Sequence, residues 1–153
     1  MKKVLTIFFG EMGSGKNYWG ETMSRWFPDF PFFDGDTVVP AEMAEKVAKF
    51  KPLTREMIKN YIDIFIDETE KRMEASEKGI FLAQALYFDE DRIEIKKYFE
   101  SIGYAVIMYW IRPSWWQNLW QILKRKNGIL WAIYWAMNKP YFQKPTHDHS
   151  VIS

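Results

Sequence analysis

The chain has 153 residues, 48% of them hydrophobic, with 21 basic and 20 acidic side chains and a formal charge of +1. That length predicts one domain with a real core, and the balanced charge excludes a nucleic-acid binder held by bulk charge. The absence of cysteine excludes a disulfide frame, a thiol nucleophile and a cysteine metal site, and it permits a reducing compartment without requiring one; the setting expected is cytoplasmic.

In chain order, Val4 to Phe9 is apolar and rich in branched and aromatic residues, which predicts a buried strand. With Met1-Lys2-Lys3 before it, this run is too short for a signal peptide and leads into a glycine-rich stretch instead of a small-residue cleavage site. That stretch, Gly10-Glu11-Met12-Gly13-Ser14-Gly15-Lys16-Asn17, has the spacing of a phosphate-binding loop. Its glycines let several N–H groups aim into one concavity, and the helix predicted from Tyr18 to Phe27 adds unpaired amides and a positive dipole end. Lys16 brings a full charge to the outer phosphates. Position 17 departs from the motif, because Ser or Thr there usually places a hydroxyl on Mg²⁺. Asn17 offers an amide oxygen, a weaker hard-cation ligand.

Phe27-Pro28-Asp29 predicts a turn and Phe30 to Phe33 a short strand, followed by Asp34-Gly35-Asp36. Alone, that triplet reads first as a β-turn. At the end of a parallel strand it has a second reading, with one carboxylate near Mg²⁺ and the other orienting or deprotonating a substrate hydroxyl. A helix is predicted from Pro40 to Phe50, and another from a Thr54 cap to about Glu77, stopped by Gly79. The run Asp67 to Arg72 reads as a solvated helix face. Ile80 to Ala83 predicts a third strand, Asp89 to Ser101 a helix, and Tyr104 to Trp110 a fourth strand. This alternation implies a parallel sheet covered on both faces.

Residues 114 to 126 and 129 to 138 predict two helices parted by Asn127-Gly128. Six of the eight tryptophans lie between 110 and 135. For Trp115, Trp116, Trp120, Trp131 and Trp135 the preferred reading is packing within a core or lid, and the alternative is a partner surface or membrane-facing hairpin. Neither helix is long enough to span a bilayer. Lys124-Arg125-Lys126 reads as a solvated helix end, or as a lid that brings an arginine over a triphosphate. His147-Asp148-His149 near the tail reads as a polar turn in preference to a metal site, and Val151-Ile152 as a fifth strand.

On these residues the chain resembles the gluconate kinase family of small P-loop kinases, related in fold to shikimate and nucleoside-monophosphate kinases. Gly10 to Asn17 fall on the family's phosphate loop. Asp34, Gly35, Asp36, Pro40, Lys46, Pro52, Leu53 and Thr54 fall in its D-G-D-x-x-H-P…P-L-T pattern without a gap, and Ala83-Gln84-Ala85-Leu86-Tyr87 matches more loosely the strand end that follows. The resemblance covers residue 3 to about 112. It implies a three-layer α/β P-loop fold with a five-stranded parallel sheet and a helical, tryptophan-rich lid at about 112–142, all within one domain. It implies phosphoryl transfer from ATP, with Mg²⁺, to a small sugar-acid-like acceptor. It puts Gly10, Gly13, Ser14, Gly15, Lys16 and Asn17 at the triphosphate, Asn17 and Asp34 at the metal, and Lys16, Asp34 and Asp36 at the chemistry. Arg112 and Arg125 resemble nucleotide- or lid-contacting arginines. The family's His, Asn, Gly, Asp, Arg and Lys are here Val39, Met43, Phe50, Arg55, Ile58 and Tyr87, changes that remove hydrogen bonds a sugar acid would use. The alternative function is a nucleotide-binding, weakly or non-catalytic protein whose tryptophan-rich segment binds a partner or a second copy. No nucleic-acid partner and no transmembrane segment are expected.

Overall fold

The computed structural model describes residues 1–153. Five parallel strands form one sheet: β1 (Val4–Phe9), β2 (Phe32–Asp34), β3 (Gly79–Gln84), β4 (Ala105–Ile111) and β5 (Ser150–Ile152), in the order β2-β3-β1-β4-β5. The helices are α1 (Lys16–Trp26), α2 (Ala41–Ala48), α3 (Arg55–Ala75), α4 (Asp89–Ser101), α5 (Trp115–Leu123) and α6 (Gly128–Asn138).

β1 sits at the centre, with Leu5 facing Ile80 of β3 on one side and Val106 of β4 on the other. A strand covered on both faces has no solvent side, so β1 reads as a continuous apolar run. On one face Leu5, Ile7 and Phe9 pack with Tyr61, Ile62 and Phe65 of α3 and Ile95 and Phe99 of α4. On the other, Phe8, Phe81 and Ala83 pack with Trp19 and Met23 of α1. The chain therefore leaves β1 toward one face and β3 toward the other. In such a sheet the crevice opens where neighbouring strands send their connections to opposite sides. The glycine-rich loop and residues 85–88 border it.

Most element ends lie one to three residues from the sequence reading, α5 stopping at Leu123 where 126 was expected, and two of the shifts have a visible cause. β2 begins at Phe32, not Phe30, because the Phe30 carbonyl accepts from Ser24 Oγ (2.9 Å) and closes the α1–β2 turn. α3 ends at Ala75, not near Glu77, and Gly79 is no helix stop. Ser76 Oγ accepts from Gly79 N–H (2.8 Å), and Gly79 opens β3 at φ +145°. A Cβ there would lie 1.9 Å from the Val4 carbonyl oxygen, so close strand approach is what requires glycine. α4 begins and ends where the sequence places it, and Thr54 caps α3 by accepting from Met57 N–H (3.2 Å).

The C-terminal segment is tied down. Gln143 N–H donates to the Tyr87 carbonyl (2.8 Å), Thr146 N–H donates to Asp89 (3.2 Å), and Arg112 N–H donates to the Ile152 carbonyl (2.7 Å). His147 is buried against the Phe9 ring, with Nε2 3.7 Å from Asp89. The tail is a strap across the sheet's C-terminal edge, where the sequence suggested a loose polar turn.

Candidate active site

Each loop glycine answers a separate demand. A Cβ at Gly10 would meet the Ile111 carbonyl oxygen at 2.6 Å. Gly13 has φ +74°, and its Cβ would strike Asn118 and Ile122, both at 2.7 Å. Gly15 caps α1 at φ +89°. Ser14 N–H turns back to the Glu11 carbonyl (3.1 Å), and Trp19 N–H is the first to bond into the helix, to Gly15 (3.1 Å). The amides of Gly15, Lys16, Asn17 and Tyr18 thus form the open end of α1. They border a cavity of about 1640 Å³ that is also lined by Asp36, Gln84, Tyr87 and Arg125. Ser14 Oγ is buried in the loop with no protein partner.

Lys16 is half-buried at the foot of this cavity, its Nζ 3.5 Å from the Glu11 carbonyl oxygen. Burial lowers its pKa; Asp36 opposes that, Arg125 adds to it and Asp34 opposes it. An ammonium destabilised by burial gains most when an anion arrives.

Asp34 is held from two sides. Asn17 Nδ2 donates to Oδ2 (2.9 Å), and Asp36 N–H donates to Oδ1 (2.9 Å). Beneath them, Tyr61 O–H donates to the Gly35 carbonyl (3.0 Å) and accepts from Gln84 Nε2. A Cβ on Gly35 would sit 2.9 Å from both Gln84 and Phe65, so the turn between the two aspartates is pressed onto the core. Asp36 has no ion pair, and its carboxylate faces the cavity. The oxygens this corner offers a metal are the Asn17 Oδ1, which carries no protein hydrogen bond, and the Asp34 and Asp36 carboxylates. That set suits a hard divalent cation.

The remaining wall is largely apolar. Val39, Met43, Val47, Leu53 and Ile58 line it. Arg55 lines it too, but its guanidinium is already bonded to buried Asp91 (2.7 Å from Nη1, 2.6 Å from Nη2) and to Glu90 (3.1 Å from Nε). Burial pushes the Tyr87 hydroxyl up to about 12, so it stays neutral where the resembling family has a lysine.

Arg125, at the turn after α5, lines the cavity. Arg112 does not. It is exposed outside the cavity, its guanidinium 5.0 Å over the Trp110 ring, while the next residue, Pro113, lines the cavity.

Sequence reasoning missed how α5 and α6 grip the loop. Trp135 of α6 is 2% exposed, and its Nε1 donates to Glu11 Oε2 (2.7 Å). Asn118 of α5, with its amide nitrogen turned to the loop, donates to the carbonyls of Met12 (2.7 Å) and Gly13 (3.0 Å). One signal was available: a carboxylate inside a phosphate loop needs a partner elsewhere, and Glu11 has one. The tryptophans divide. Trp135 is packed, as the preferred reading expected, whereas Trp115, Trp116 and Trp120 are exposed, contrary to it.

No protein-family model matches the sequence, and no curated protein matches it. Solved structures do. A gluconokinase from Sinorhizobium meliloti 1021 superimposes with a TM-score of 0.72 at 16% identity, over 99% of this chain and 81% of that one. A sugar kinase from Janibacter sp. HTCC2649, solved unliganded, gives 0.79 at 15%, over 99% and 84%. The APS kinase CysC of Mycobacterium tuberculosis, in complex with AMPPNP and APS, gives 0.66 at 12%, over 98% and 88%. At such identities the likeness establishes the fold: this chain has the α/β fold of the small P-loop kinases, as its sequence suggested.

Proposed function

We propose that this protein is an ATP-dependent kinase that phosphorylates a hydroxyl of a small molecule. One observation carries the reading. The open amides of α1 and the half-buried Lys16 share a single cavity with Asp36, whose carboxylate has no ion pair. In this reading the loop amides and Lys16 hold the β- and γ-phosphates and stabilise charge as the phosphoryl group moves. Arg125 adds positive charge from the lid side. Asp36 accepts the acceptor's hydroxyl proton or fixes its direction. Asp34, oriented by Asn17 and the Asp36 amide, holds the outer edge of the site. A Mg²⁺ ion held by Asn17 Oδ1 and, directly or through water, Asp34 would neutralise phosphate charge.

The family resemblance implies a sugar-acid-like acceptor. The wall argues for one with less charge. Val39, Met43, Val47, Leu53 and Ile58 offer a sugar acid few hydrogen bonds, and Arg55 is occupied by Asp91 and Glu90. Beyond Lys16 and Arg125, at the phosphate end, no unpaired cation lines the cavity for a carboxylate. The acceptor that fits is a neutral alcohol with an apolar body.

A second reading has one observation in its favour. Asn17 is hydrogen-bonded to Asp34 at the position where a metal-binding hydroxyl is usual, as in a nucleotide-binding protein with weak turnover. One experiment separates the two. Mg²⁺-dependent ATP consumption is measured against sugar acids, sugars, nucleosides and neutral apolar alcohols, for the parent and for Asn17→Ser and Lys16→Ala. The kinase reading expects acceptor-dependent turnover by the parent, greatest with apolar alcohols, and its loss in Lys16→Ala. ATP binding without turnover, restored by Asn17→Ser, favours the second reading. Unchanged ATP affinity in Lys16→Ala ends both.

A further inference from the structure

The hairpin formed by α5 and α6 is apolar on both sides, with Ile122, Tyr134 and Trp135 buried on the inner one. Its inner positions meet the phosphate loop through Asn118 and Trp135. Its outward positions are Trp116, Trp120 and Leu123 on α5, and Ile129, Ile133 and Met137 on α6, all exposed. Their spacings of three and four residues put each set along one helix stripe. Trp116 and Ile129 are each 73% exposed. A surface helix ordinarily turns its apolar stripe to the core and its polar side to water. Large contiguous apolar exposure of this kind marks a site of association.

Charge identifies what covers it. Between Glu100 and Asp148 the chain has six basic residues, Arg112, Lys124, Arg125, Lys126, Lys139 and Lys144, and no acidic one. Three of them form the turn that joins the two helices, and Lys124 Nζ lies 5.3 Å above the Trp120 ring. Tryptophan and aliphatic side chains beside lysines, with no carboxylate among them, are the composition of helices that lie in a bilayer interface. Helices of 9 and 11 residues extend about 14 and 17 Å, well short of a bilayer's hydrocarbon core. A second copy is the weaker occupant, because a two-fold contact sets the same patch against itself and so crowds like charges.

We propose that the α5–α6 hairpin docks this protein onto anionic phospholipid surfaces. Trp116, Trp120, Ile129 and Ile133 sit at the boundary between headgroups and acyl chains, and Lys124 and Lys126 lie among the headgroups. The lysine stems allow the ammonium groups to stay at the polar level while the rings go deeper. Docking of this kind does not depend on the kinase reading.

The test is co-sedimentation of the full chain with vesicles of phosphatidylcholine alone and of phosphatidylcholine mixed with phosphatidylglycerol. The parent is expected to bind the mixed vesicles, less tightly as salt rises, and to leave the neutral ones largely free. K124E/K126E should weaken binding by at least about tenfold. Trp116→Ser/Trp120→Ser should abolish it. Neither pair lines the nucleotide cavity, so both variants should keep the parent's affinity for ATP, which serves as the folding control. Absence of vesicle binding by the parent overturns the proposal, as does equal, salt-insensitive binding to both vesicle types. A parent dimer that the tryptophan variants convert to monomer, with no vesicle binding, assigns the face to a second copy instead.

Discussion

Phe50 shows how one side chain can hold two parts of the site together at a cost to its own backbone. Its φ of +55° lies in the left-handed region, where the resembling family has glycine. For a residue with a Cβ that conformation costs about 1–2 kcal/mol. The ring lies edge-on to Trp131 (4.7 Å) and Tyr134 (5.9 Å) of α6, so the α2–α3 turn is fastened to the lid. Such aromatic pairs contribute about 0.5–1.5 kcal/mol each beyond area burial. Removing the ring while keeping the Cβ should therefore be worse than removing both. Phe50→Ala is expected to be less stable than Phe50→Gly by about 1 kcal/mol in denaturant unfolding, with both below the parent. Equal stability of the two variants would mean that the backbone carries no strain there.

At the scale of elements, the link between β1, α4 and the C-terminal strap is Arg92. It is fully buried, donates to the Leu86 carbonyl (2.7 Å), to Asp89 Oδ1 (3.1 Å) and to the Gln143 carbonyl, and lies between the rings of Phe9 and Phe142. Burial lowers its pKa, with Asp89 opposing. Taking away one partner of a buried ion pair leaves the other uncompensated, so Arg92→Leu should cost about 3–5 kcal/mol. Adding Asp89→Asn to that variant should recover part of the loss, giving a coupling energy in a double-mutant cycle. The same residue marks the limit of what the sequence discloses. β1, the phosphate loop, α4 and the alternation of strands and helices were legible because each is coded locally, by periodicity, glycine spacing or caps. Arg92 shares its helix with Asp89 and Asp91, which are also buried, and with Glu90, Glu94, Lys96, Lys97 and Glu100; nothing in that run of charges distinguishes the three that turn inward. Its partners at Leu86 and Gln143 come together only when the tail folds across the sheet. The Trp135–Glu11 and Asn118–loop contacts were hidden for the same reason: each joins residues more than 100 positions apart. Asp34 and Asp36 were legible in part, since the turn is local, but Asn17 as the group that orients Asp34 was not.

For the molecule as a whole, loop, lid and strap meet at one edge of the sheet, so loosening the strap should be felt at the site. His147 provides a way to do so by pH. It is buried, faces Phe9 and Asp89, and has Arg92, Asp148 and His149 as its other charged or titratable neighbours. Burial lowers its pKa below 6.5; the Asp148 carbonyl opposes that, Arg92 adds to it, Asp89 opposes it and His149 adds to it. Over the range from 6.5 down to that depressed value, the unfolded chain binds a proton that the folded chain does not. Stability therefore rises with pH across the window and falls on acidification through it. Asp89 does not mask the effect, because its own pKa is held below 3.8: hydrogen bonds from Thr146 and the Arg92 charge outweigh its burial. As pH falls below 6.5, the protection of amides in residues 142–152, corrected for the intrinsic slowing of exchange in acid, should fall before that of the central strands. His147→Phe keeps an aromatic ring against Phe9 and cannot titrate, so it should flatten the dependence in this range. A strap whose exchange follows the same pH course in parent and variant would show that His147 is not the group that senses the proton.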